Sequence, residues 1–100
     1  MTLDDVRAAR LAAATAHAEL LGNASACALA RDGRSFPAGK FWEGKTAALG
    51  ELLRTRTEDV PAAAAALLAT WEARPPIGAP REAEAYRAGG LEALAEFAAR

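Results

Sequence analysis

The chain is poor in the residues that carry most protein chemistry. One cysteine, one histidine and one methionine occur among its 100 residues. A single cysteine excludes an internal disulfide and suits a reducing compartment, so a cytoplasmic location is expected. One His and one Cys cannot complete a tetrahedral zinc set. Paired Glu-x-x-His motifs, which a di-iron bundle needs, do not occur. Neither a phosphate-cradling Gly-x-x-x-x-Gly-Lys-Ser/Thr nor a dinucleotide fingerprint is present, and no cofactor is expected. The β-branched apolar residues are Val6, Val60 and Ile77. A pleated sheet face needs many more, which excludes a substantial sheet. No apolar run reaches the length of a membrane span without a charge. The formal net charge is −1, too small to draw the whole molecule to nucleic acid or to an anionic lipid surface.

Alanine fills the space left by these absences, supplying 29 residues, with twelve leucines beside them. Alanine, leucine, arginine and glutamate are strong helix formers. The expected class is all-α. A chain of this length makes one domain, spanning 1–100, whose core has little margin because alanine buries little area. A small antiparallel helical bundle of about four main helices fits these constraints.

The first helix is expected to start at Thr2 or Leu3, with Asp4 and Asp5 in the first turn, where the helix dipole favours acids. Positions 3, 6, 13, 17, 20, 24 and 27 share one face, and Leu11, Ala14, Ala18 and Leu21 form an adjacent stripe. Gly22-Asn23 is a possible break. An unbroken helix to Arg31 would be roughly 43 Å long, against roughly 28 Å for one ending near Gly22. Later helices match the shorter length, which favours a break or kink.

Ser35 or Phe36 is expected to cap the second main helix, which runs from Pro37 to about Arg56. Its inward stripe is Phe41 or Trp42, Lys45, Ala48, Leu49, Leu52 and Leu53. Gly44 and Gly50 cost the helix about 1 kcal/mol each relative to alanine, a cost that close packing against a neighbour would offset. Glu51 and Arg54, one turn apart, are expected to pair. Thr57 to Asp59 caps a third helix, in which Val60, Ala64, Leu67 and Trp71 repeat at i, i+4, i+7 and i+11. Arg74-Pro75-Pro76 ends it, and PPIGAP reads as a stiff connector. Pro80 opens the last helix, with Tyr86, Gly90, Leu94 and Phe97 on its inner face. Gly89-Gly90 marks a kink or a close crossing.

Candidate sites are few. Three of the six aromatic residues, Phe36, Phe41 and Trp42, interleave with Arg31, Arg34, Lys40 and Lys45. Cations among aromatics can hold single-stranded nucleic acid or another anion. The same aromatics also suit a helix core or a subunit interface, and a fold this short of large side chains needs them there. His17 and Cys27 lie ten residues apart, roughly 15 Å of helical rise, so on one straight helix they cannot form a dyad. His17 and Glu19 interrupt the segment before Cys27, which argues against a lipidated signal. Ala18 to Arg34 has the outline of a helix-turn-helix DNA reader. Asn23 stands where that motif wants an apolar residue, and Arg31 is the sole cation of the would-be recognition helix, too few for phosphate contacts.

The leading functional expectation is a small non-enzymatic protein that self-associates as a homodimer or docks to a protein partner through a helix face. Its surface would include Arg31, Arg34, Lys40, Trp42 and Lys45. The first alternative is a binder of nucleic acid or another anionic ligand through segment 31–45. The second is a small enzyme or ligand pocket gathering His17, Cys27 and Glu43.

Overall fold

The computed structural model describes residues 2–22 and 37–99. These residues form four α-helices and no strand: α1 Leu3–Gly22, α2 Pro37–Arg54, α3 Val60–Ala73 and α4 Pro80–Ala98. The all-α bundle follows from the composition. The expected continuation or break beyond Gly22, the cap at Ser35 or Phe36, and the second half of the helix-turn-helix outline lie outside the described residues.

Local signals set the visible boundaries. Thr2 and Asp5 cap α1 reciprocally: the Thr2 backbone N–H donates to Asp5 Oδ2 at 2.8 Å, and the Asp4 N–H reaches Thr2 Oγ1 at 3.3 Å. α2 stops at Arg54, two residues before the expected end. Arg56 there adopts φ 51°, a left-handed conformation of the kind that closes helices and usually falls to glycine. Asp59 caps α3, its Oδ1 accepting from the Ala62 N–H at 3.2 Å. Arg74 is extended because Pro75 follows it, and α3 ends there. Pro80 sits in the first turn of α4, where its missing N–H costs nothing.

α2 is the hub, packing against α4 most extensively and against α1, while α4 also packs on α3. The core gathers Val6 from α1, Ala48, Leu49 and Leu52 from α2, Val60, Ala64 and Trp71 from α3, and Ala93, Leu94 and Phe97 from α4. The α3 register is as expected, with Val60, Ala64 and Trp71 buried and Leu67 half-buried. Tyr86 departs from the expected inner face of α4 and stays exposed beside the end of α3.

The α2–α4 contact is made by glycine. A Cβ added at Gly44 would overlap the carbonyl of Tyr86, and one added at Gly89 would overlap the carbonyl of Phe41. Each glycine thus rests on the carbonyl three residues before the other. Past this point contacts advance in the same direction along both helices: Lys45 meets Glu92, and Leu49 lies with Ala93 and Glu96. Gly90 is also filled from outside, since a Cβ there would overlap the Trp71 ring. The close crossing expected at Gly89-Gly90 is therefore present and involves Gly44. Gly50 is different: its Cβ position is 3.2 Å from Arg10 Nε, a side chain able to move.

Candidate functional site

A recess lies at the corner where α3 turns into α4. It encloses about 500 Å³ between the end of α3, the connector and the first turns of α4. That volume is within the usual range of small-molecule and side-chain pockets. Its rim carries Ile77, 88% exposed, beside Tyr86, 38% exposed. Ile77 and Tyr86 together put apolar surface at the mouth of the recess. Pro75 and Pro76 restrict the backbone leading to Ile77, and Gly78 at φ 99° takes a turn conformation that suits glycine.

One buried ring anchors the recess. Trp71 is 3% exposed, and its indole Nε1 donates to Glu51 Oε2 at 2.5 Å. Arg74, one turn further on, donates to both oxygens of the same carboxylate, Nη2 to Oε1 at 2.8 Å and Nη1 to Oε2 at 3.2 Å. Its guanidinium carbon also lies 5.2 Å from the Trp71 ring centroid. Tyr86 stacks with Trp71 at 5.5 Å and 22°. These contacts hold Glu51 below the usual carboxylate range. The Arg74 hydrogen bonds contribute most, burial opposes them, and the Trp71 hydrogen bond adds to them. Glu51 therefore reaches across to α3, in place of the expected pair with Arg54.

Arg87 lines the other side of the recess. Its Nη2 donates to the Glu72 carbonyl at 2.7 Å, satisfying an end-of-helix acceptor of α3 and placing a positive charge where the helix dipole favours it. Its Nε is shielded from water and has no acceptor. Lys40 closes the recess from α2. It is bonded to Glu43 at 2.9 Å, and that contact, ahead of all other causes, raises its pKa.

Of the sequence-expected site residues that are described, Trp42 and Lys45 come together and Lys40 lies apart from them. Lys40 alone among them lines the recess. Trp42 is half-buried and meets Phe41 edge-on at 5.5 Å. Lys45 lies on the inward side of α2, as its position in the stripe implies. Its ammonium bonds Glu92 at 3.0 Å and lies 5.3 Å from both the Phe41 and Trp42 ring centroids. That arrangement explains how a lysine with 13% exposure is accommodated among apolar neighbours. Arg31, Arg34 and Cys27 lie outside the described residues. His17 is half-buried on α1 and Glu43 is engaged with Lys40; neither lines the recess. No group of three or more His, Cys, Asp or Glu side chains able to hold a metal occurs among the described residues. None of the described helices is long and apolar enough to cross a membrane.

Composition did not reveal the recess because its parts come from separate segments. A signal was nevertheless present. Trp71-x-x-Arg74 places an indole and a guanidinium one turn apart at the end of a helix, and an isolated isoleucine follows in a proline-stiffened connector. Comparison with protein-family models, curated proteins and solved structures finds no match for this chain.

Proposed function

We propose that the protein acts without catalysis, by docking a second copy of itself or another protein at the α3–α4 corner. The observation that carries this reading is Ile77: a large aliphatic side chain, almost fully exposed, held on a stiff connector beside an exposed tyrosine and above a recess. Buried aromatic and aliphatic anchors of this kind supply most of the energy of protein interfaces. A core assembled largely from alanine and leucine leaves the monomer little spare stability, and a docked partner would bury additional apolar area. Of the expected surface, Lys40 lines this corner, while Trp42 and Lys45 lie away from it. Lys45 and Trp42 are occupied within the fold, whereas Ile77 is not.

The test uses a photo-crosslinking amino acid at exposed Ala79. One discrete adduct is expected, at twice the chain mass for self-association or at another fixed mass for a partner, and I77D should abolish it. The same crosslinker at Ala65, on the exposed side of α3, serves as the control. Absence of an adduct from position 79, or equal adducts from both positions, defeats the reading. Sedimentation of the purified chain and of I77D measures self-association directly.

A further inference from the structure

We infer that the recess at the α3–α4 corner is also a binding site for a small organic carboxylate with an apolar or aromatic body. The site shares its recess with the proposed docking at Ile77 but rests on a different determinant, Arg87.

The recess holds two kinds of surface side by side. The Trp71–Tyr86 stack supplies an aromatic wall, with Ile77 and Ala83 beside it. Three cations, Lys40, Arg74 and Arg87, line the same space against one acid, Glu82. The cations are not equivalent. Arg74 is committed to Glu51 through two hydrogen bonds, and Lys40 to Glu43. Arg87 has no carboxylate partner among the described residues; its Nη2 contact is to a neutral backbone carbonyl. A ligand carboxylate beside this guanidinium would meet a positive charge that no acid among the described residues bonds. A carboxylate suits a guanidinium because the two planar groups can share paired hydrogen bonds. The aromatic wall then selects acids with an apolar body over small inorganic anions, which would have nothing to place against Trp71 and Tyr86. The volume of about 500 Å³ accommodates a bicyclic acid.

The experiment compares two probes of the same shape, anionic 1-naphthaleneacetate and neutral 1-naphthaleneacetamide. Binding to the full chain is followed by amide and indole NMR shifts. Saturable shifts at the Trp71 indole N–H and at Tyr86 and Arg87 are expected, with the acid bound about tenfold more tightly than the amide, the equivalent of one charge-assisted hydrogen bond. R87Q should remove that preference while leaving the amide's affinity unchanged, and R87K should restore part of it. R87K keeps the charge and is the variant read should R87Q fail to fold; R81Q, at an exposed cation outside the recess, is the control and should leave the preference intact. Equal affinity of the two probes, a preference that survives R87Q, a preference lost in R81Q, or no shift from either probe at millimolar concentration overturns the inference. Docking at Ile77 is read by crosslinking from position 79 and stands or falls separately.

Discussion

The Glu51 carboxylate receives hydrogen bonds from two residues at the end of α3, so its protonation state reports on the contact between α2 and the α3–α4 corner. Its pKa is depressed in the fold, mainly by Arg74. The folded chain therefore binds this proton less tightly than the unfolded chain. The stability it supplies is complete above the ordinary glutamate pKa of about 4.3 and is lost as the pH falls through the lower folded value. Glu51→Gln should cost about 1 kcal/mol or less at neutral pH, since it removes the charge facing a half-exposed Arg74 while glutamine still offers an oxygen to the Trp71 N–H. The difference between wild type and variant, measured by urea unfolding, should shrink as the pH is lowered below that range. A difference that stays constant to pH 3 would contradict this account. Lys45 shows how far single residues could be read from sequence. Its place in the inward stripe of α2 was legible, but its partner Glu92 lies on α4, 47 positions away, and no local pattern identifies it.

At the scale of elements, the helices were legible because capping residues, prolines and apolar spacing agree on where each begins and ends. The α2 end was misplaced by two residues because Arg56 closes the helix in a conformation that usually signals itself by glycine. Gly44 and Gly50 looked alike in sequence, as two helix-weakening residues awaiting a close neighbour. The structure separates them. Gly44→Ala sets a methyl group against backbone, which cannot yield without moving α4, and should destabilise by about 1–3 kcal/mol or more. Gly50→Ala meets the end of a flexible arginine and should be neutral or stabilising by up to about 1 kcal/mol, through helix propensity. Thermal denaturation of the two variants decides the matter, and equal effects would refute the distinction. The candidate recess was illegible at this scale, since its walls belong to α2, α3, the connector and α4.

For the molecule as a whole, the core rests on few large side chains: among the described residues, the largest that are fully shielded from water are Leu52, Leu94, Val6 and Val60. Leu52→Ala should cost about 2–5 kcal/mol, a large fraction of the 5–15 kcal/mol of a typical domain. Circular dichroism should show a substantially lowered melting temperature, or a chain already partly unfolded at room temperature. A loss below 1 kcal/mol would mean that the core is less dependent on this leucine than its burial implies.

The glycine crossing pins α2 against α4: where Gly44 and Gly89 let the backbones touch, neither helix has room for a side chain. Beyond it, Leu49, Leu52, Leu94 and Phe97 belong to the shared core. Trp71 belongs to that core and also lines the recess, and its ring fills the space over Gly90, next to the pin. A methyl group at the crossing would therefore disturb recess and core together, through two hydrogen atoms that stand where other residues carry side chains.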